Sequence, residues 1–188
     1  MKKPTVCVFC GSSSGKNPEY VKEAANTGRL LAQNNIDLIY GGASIGVMTA
    51  VADSVLENGG DVYGVMPQDL VNREVAHPDL TRLFITNSMH ERKALMANLS
   101  DAFIALPGGF GTYEELFEAL TWSQLEMHNK PIYLLNTAGY YDPFLALTEH
   151  GIAEGFIGES NRNLFKTVDT SEELIRELTA AFQTRKTV

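Results

Sequence analysis

Short apolar runs alternate along the chain with longer segments whose apolar residues recur at helical spacing. Thr5–Phe9, Asp37–Tyr40, Asp61–Val65, Leu83–Thr86, Ala102–Leu106 and Ile132–Leu135 are strand-sized, and Lys166–Val168 is a shorter candidate. Several are apolar throughout, as strands covered on both faces are. Between them, Pro18–Gln33 places Tyr20, Val21, Ala24, Ala25, Leu30 and Leu31 on one helical stripe, and Asn17-Pro18 reads as a cap followed by proline at the first helical position. Val47–Leu56, Ser88–Leu99, Thr112–Met127, Pro143–Glu154 and Ser171–Phe182 read the same way, with Gly59-Gly60 and Gly155 as stops. The alternation predicts βαβ units, an α/β fold with a doubly wound parallel sheet flanked by helices, in a single domain over residues 1–188. The tail from Arg185 to Val188 reads as frayed.

A chain of 188 residues with 44% apolar content suits one globular core. Its apolar runs fall far short of the roughly 20 residues a membrane span needs. Met1-Lys2-Lys3-Pro4 leads at once into the first strand without the apolar core of a secretory leader, so residence in the cytoplasm is expected. Fifteen basic against twenty-three acidic residues give a net charge of −8. Nucleic acid and anionic lipid are therefore not expected as partners, and an anionic ligand needs a local positive site. Cys7 and Cys10 form a C-x-x-C, which raises redox and zinc readings. They fall at the end of a β-branched strand run with no second pair to complete four ligands, and packing as small hydrophobes is expected instead.

In an open parallel sheet, ligands bind where strands end and turns into helices expose backbone N–H groups. Three such turns are glycine-rich: Gly11-Ser12-Ser13-Ser14-Gly15, Gly41-Gly42-Ala43-Ser44-Ile45-Gly46 and Pro107-Gly108-Gly109-Phe110-Gly111-Thr112. None carries the G-x-G-x-x-G of a dinucleotide site in its context or the G-K-[ST] of a P-loop. Any one of them can be explained by positive φ or close packing. Three at one sheet edge favour a small molecule containing phosphate.

The third turn runs into Thr112-Tyr113-Glu114-Glu115, and Thr112-x-x-Glu115 is a capping box in which Glu115 reaches back to the Thr112 N–H. A cap needs one carboxylate, and Glu114, Glu115 and Glu118 crowd the same place. A carboxylate facing a bound phosphate is repelled, so Glu115 is expected to face a ribose, ionised by the helix N-terminus. There it can orient water and stabilise the oxocarbenium-like charge that forms as a glycosidic bond breaks. Ser88-Met89-His90-Glu91-Arg92-Lys93 puts two cations near a helix start, either a solvated face or a site for an anion held by the Arg92 fork and the Lys93 charge. His77, His90, His128 and His150 have no metal-ligand spacing, and no G-x-S-x-G accompanies Ser12, Ser13, Ser14 or Ser44. Trp122, Leu125 and Met127 read as helix core or subunit contact.

Pro107-Gly108-Gly109-Phe110-Gly111-Thr112-Tyr113-Glu114-Glu115 resembles the P-G-G-x-G-T-x-x-E motif of the Lonely Guy proteins, the cytokinin riboside 5′-monophosphate phosphoribohydrolases. Gly41-Gly42 with Gly46 resembles their second glycine turn, and Met89-His90-Glu91-Arg92-Lys93 their M-H-x-R-K segment; the likeness runs from Val6 to about Phe182. The resemblance implies a Rossmann-like fold, no metal or organic cofactor, a homodimer, and hydrolysis of N6-modified AMP to free base and ribose 5-phosphate. It makes Arg92 and Glu115 the catalytic pair. It puts Gly109, Phe110, Gly111 and Thr112 at the phosphate, Glu74, Lys93 and Thr121 along the substrate site, and Gly42, Ser44, Gly108, Tyr113 and Glu114 among the residues that bind substrate or phosphate. Relatives labelled lysine decarboxylase would need a Schiff-base lysine and pyridoxal phosphate, for which only Lys93 lies near the site. A broader purine nucleotide nucleosidase and a non-catalytic carrier of nucleotide or molybdenum cofactor are the alternatives.

Overall fold

The structure is a computed structural model that describes residues 3–71 and 76–185. Seven strands, β1 (Thr5–Phe9), β2 (Asp37–Tyr40), β3 (Val62–Pro67), β4 (Arg82–Thr86), β5 (Ala102–Ala105), β6 (Ile132–Leu135) and β7 (Lys166–Val168), form one parallel sheet in the order β4-β3-β2-β1-β5-β6-β7. The chain winds outward from β1 to β4, then crosses back to lay β5 on the other side of β1. The winding direction reverses between β1 and β5, and this switch point opens a crevice at the strand ends.

The helices are α1 (Glu19–Gln33), α2 (Gly46–Glu57), α3 (Gln68–Val71), α4 (Met89–Leu99), α5 (Phe110–Gln124), α6 (Asp142–Ala153) and α7 (Ser171–Arg185). Strand alternation divides the apolar side chains between two cores. Val6, Val8 and Cys10 pack with Leu31 of α1, Val51 of α2 and Leu178 of α7. Cys7 and Phe9 pack on the opposite face with Met96 of α4 and Leu116 of α5. Both cysteines are buried, free, and in different cores, as expected of small hydrophobes. The doubly wound α/β reading therefore holds, and the short run at Lys166 is the edge strand β7.

Asn17 caps α1 as expected, its Oδ1 accepting the Glu19 N–H at 3.0 Å. Three elements differ from the sequence reading by two residues or more, and α3 has no counterpart in it. α7 continues past Phe182 to Arg185, so the first residue of the tail read as frayed is helical. β3 continues to Pro67, because its pairing with β2 stops at Gly64 and the N–H that proline lacks has no partner on that side. α5 starts at Phe110 rather than Thr112, with extended Gly109 (φ −98°, ψ −152°) as its boundary residue, and ends before Leu125. Lys186 to Val188 of the expected frayed tail lie outside the described residues.

Candidate active site

The three glycine turns meet at the switch point. The Gly11 N–H donates to the Pro107 carbonyl at 3.1 Å, and the Met48 N–H donates to the Gly11 carbonyl at 3.3 Å. A Cβ on Gly46 (φ +61°) would lie 2.5 Å from the backbone of Ser12 and Ser13. One on Gly108 would lie 2.1 Å from Thr112 Oγ1 and 2.7 Å from the Gly11 nitrogen, so close approach fixes glycine at both positions. The first and third turns, residues 11–15 and 107–109, line a cleft of about 270 Å³ together with Val47, Tyr20 and Tyr140. Beside it α5 begins with no side-chain cap, and Gly109, Phe110 and Gly111 are exposed while Thr112 is buried. A helix start of this kind presents backbone donors and the positive dipole end to an anion.

On the other face of the sheet, Arg92 of α4 and Glu115 of α5 meet with Nη2 to Oε1 at 3.4 Å, each side chain only 10% exposed. The guanidinium lies against Gly41, where a Cβ would be 2.3 Å from Nη2. Its Nη1 contacts Met89 Sδ at 3.7 Å, and its Nε is buried with no acceptor among the described residues. Leaving such a donor unmet costs about 1–3 kcal/mol, a strain that functional sites tolerate. Burial pushes Glu115 up to about 7, and the nearby Arg92 cation pulls only part of the way back. Thr112 sits inside the first turn of α5 rather than capping it, so the Thr112–Glu115 capping box does not form. The expectation of a depressed Glu115 pKa is overturned with it, because desolvation outweighs a helix dipole that fades beyond the first turn.

Lys93 of α4 is 9% exposed at its side chain and turns to α5, where Nζ bonds Glu114 and reaches Glu118 Oε2 at 2.7 Å. Burial works to lower its pKa, but the hydrogen bonds to Glu114 and Glu118 outweigh it and the net shift is upward. The carboxylates crowded near the third turn thus serve two cations: two hold Lys93 and one meets Arg92. A lysine kept protonated this way is a poor Schiff-base nucleophile. The start of α4 is capped by Ser88, whose Oγ accepts the Glu91 N–H at 3.1 Å, while Glu91 accepts the Asn87 N–H at 2.8 Å.

The remaining expected residues fall as follows. Gly42 (φ +85°) is buried in the second turn, its carbonyl accepting the His77 N–H at 3.0 Å, and Ser44 is half-buried beside it. Tyr113 turns its hydroxyl onto Tyr140 Oη at 2.6 Å. Phe110 is 93% exposed. Thr121 donates its hydroxyl to the Phe117 carbonyl at 2.7 Å on the exposed side of α5. Glu74 lies outside the described residues. Trp122 is half-buried, and Leu125 and Met127 are exposed, so the last two are not helix core. The sequence reading missed Gly41 as the floor beneath Arg92, and Tyr20 and Tyr140 as cleft walls. It also missed His77, whose Nε2 meets Asp53 Oδ1 at 2.7 Å while its backbone ties residues 76–77 to the second turn. Only Gly41 carried a local signal, by lying in a glycine turn.

A protein family described as "Possible lysine decarboxylase" matches residues 48–178. The chain is 46% identical over 173 residues to a cytokinin riboside 5′-monophosphate phosphoribohydrolase of Oryza sativa subsp. japonica, an alignment spanning 92% of this chain and 72% of that protein. It is also 46% identical over 173 residues to an Arabidopsis thaliana protein of the same name, spanning 92% and 80%. Among solved structures, the molybdenum cofactor binding protein of Rippkaea orientalis matches with a TM-score of 0.73 at 22% identity, covering 97% of this chain and 99% of that one. The Moco carrier protein of Chlamydomonas reinhardtii matches with a TM-score of 0.74 at 20% identity and the same coverage. At these identities the structural likeness speaks for the fold alone.

Proposed function

The chain belongs to the Lonely Guy family of cytokinin riboside 5′-monophosphate phosphoribohydrolases, and from that membership we propose that it hydrolyses the N-glycosidic bond of N6-modified adenosine 5′-monophosphate. The products are the free base and ribose 5-phosphate. The bond from C1′ to the base breaks with its electron pair going to the base; water's hydroxyl goes to C1′ and its proton, in net, to the base. The amides opening α5 hold the phosphate, the role assigned to Gly108, Gly109, Gly111 and Thr112. Glu115 faces the ribose, where its carboxylate stabilises the positive charge developing at C1′ and takes a proton from the attacking water. Arg92 keeps part of the Glu115 population ionised and offers its fork to ribose or phosphate oxygens.

The observation that carries this reading is the incompletely matched Arg92–Glu115 pair, with its carboxyl pushed up to about 7, beside a helix start open to an anion. A general base poised near neutrality is what water activation asks for. Purified protein incubated with AMP and with N6-isopentenyl-AMP, without added metal, should release base and ribose 5-phosphate by chromatography, and Glu115→Ala should not. No release from either substrate overturns the proposal. The ratio of kcat/KM between the substrates separates cytokinin activation from broader purine salvage, since each buried CH₂ of a prenyl tail is worth about 0.8 kcal/mol.

The same reading includes one domain over residues 1–188, a cytoplasmic setting and a homodimer. Among the described residues no helix is long and apolar enough to cross a membrane. α5 and α6 join through Phe117 and Phe144, whose rings lie 5.5 Å apart, and expose Phe117 and Leu147, with Leu125 exposed just past the end of α5. α6 buries none of its residues fully, and a second copy covering these helices accounts for that apolar face. Sedimentation at micromolar concentration tests it, and a monomer there rejects it.

A further inference from the structure

Tyr140 enters the cleft from the far side of the sheet, after β6. Its hydroxyl donates to the Gly108 carbonyl and shares a hydrogen bond with Tyr113 Oη at 2.6 Å. One clamp thus joins the third glycine turn, the first turns of α5 and the segment after β6. That segment is itself tightly built. Ala138 (φ +53°) and Gly139 (φ +72°) both adopt left-handed backbone, a costly choice for alanine that persists only where the surroundings impose it. Asn136 Oδ1 accepts the Tyr141 N–H at 2.7 Å, and its Nδ2 donates to Asp142 Oδ1 at 2.8 Å. Tyr141 locks the base of the same turn by donating to the Leu106 carbonyl at 2.8 Å. Tyr20 from α1 packs edge-on against the Tyr140 ring at 5.5 Å, so the ring walls the cleft while the hydroxyl grips the turn.

The geometry points to Tyr140 as a positioning residue for the monophosphate: by anchoring the Gly108 carbonyl it fixes the peptide planes of the third turn, so that the following amides face a 5′-phosphate. It touches no reacting atom and acts through the turn, with Tyr113 as its support. The assignment rests on the phosphoribohydrolase reading. It separates two tasks, phosphate grip under the control of Tyr140 and bond cleavage at Arg92 and Glu115. Burial, and then the bond to Tyr113, raise the Tyr140 hydroxyl to about 12, so it keeps its proton at neutral pH.

The test uses Tyr140→Phe, which keeps the ring and removes the hydroxyl, and Tyr113→Phe, which leaves the bond to Gly108 intact. Ribose 5-phosphate affinity is measured by calorimetry, and kcat and KM for AMP by base release. In Tyr140→Phe the ribose 5-phosphate Kd and the KM should both rise about tenfold, the factor that loss of one hydrogen bond represents. kcat should change less than threefold, and Tyr113→Phe should show a smaller rise in the same two quantities. Unchanged affinity and KM in an active Tyr140→Phe overturn the proposal. So does a fall in kcat without a change in affinity, the mark of a role other than phosphate positioning. If the wild type binds ribose 5-phosphate but releases no base from AMP or from N6-isopentenyl-AMP, the reaction is wrong while the affinity comparison still decides the clamp. A wild type that releases base but does not bind ribose 5-phosphate overturns the clamp and leaves the reaction standing.

Discussion

Arg92 and Lys93 are neighbours in one helix, both buried, and both faced by carboxylates of α5, yet they end in opposite situations. Lys93 has two glutamates at hydrogen-bonding distance and its charge is fully answered. Arg92 has one at 3.4 Å, a bare Nε and a glycine beneath its fork. A cation whose partners are complete is part of the framework. One left with unspent donors beside a carboxyl that burial pushes up is equipped to meet something else. The charge count of the helix start does not separate the two; the number of bonds each makes does.

Removing the unsaturated side of this comparison should have the largest effect. Glu115→Gln is expected to lower kcat/KM by about a thousandfold, the middle of the range for a general base, with the fold retained by circular dichroism. Gly41→Ala comes next. The added methyl falls on the Arg92 fork and displaces a flexible side-chain end rather than backbone. Activity should drop about a hundredfold, as misplacement of a catalytic group by an ångström does, with little change in Tm. A variant of full activity would mean that Arg92 is not needed where the structure puts it.

A pH profile sharpens the comparison further. If ionised Glu115 is the working form, kcat/KM climbs as pH rises through about 7. Arg92 holds the Glu115 pKa down, so Arg92→Gln should move that ascending limb to higher pH as well as lower its plateau. A limb that stays in place would assign it to another group. The smallest effect on activity is expected from the saturated side. Lys93→Met should cost about 2 kcal/mol of stability in urea titration, below the roughly 3–5 kcal/mol of a fully buried pair because Glu114 is half-exposed. Its loss of kcat/KM should be smaller than that of Gly41→Ala. The reverse ranking would return Lys93 to the substrate.

The strands were legible because a covered parallel strand reads as an apolar run whatever its neighbours, and so even the three residues of β7 stood out. Their order was not, since nothing local says that β5 pairs with β1 rather than β4. Glu115 shows the limit at the site. Its sequence neighbours, a threonine three residues back and a helix beginning, argue for a cap and a lowered pKa. Its spatial neighbours, Phe9, Phe103 and Trp122 around a cavity of about 10 Å³, withdraw it from water and reverse the sign. Lys93 finds its partners 21 and 25 residues away. The resemblance named the candidate residues, and only the packing told how each is charged and what it grips. Tyr140 had no motif to announce it, because its partner is a backbone carbonyl 32 residues earlier.

The uncapped start of α5 has a consequence for the equilibrium between folded and unfolded chain. α1 and α4 carry side-chain acceptors at their N-termini, from Asn17 and Ser88, whereas α2 and α5, which follow the second and third glycine turns, have none among the described residues. On the proposed function, the cap of α5 arrives with the substrate, and occupancy and folding become linked by mass action. At a hundred times its Kd, a monophosphate adds about 2.7 kcal/mol to the stability of the native state. The protein then sits on a reservoir of order that fills as its nucleotide accumulates and drains as the last of it is consumed.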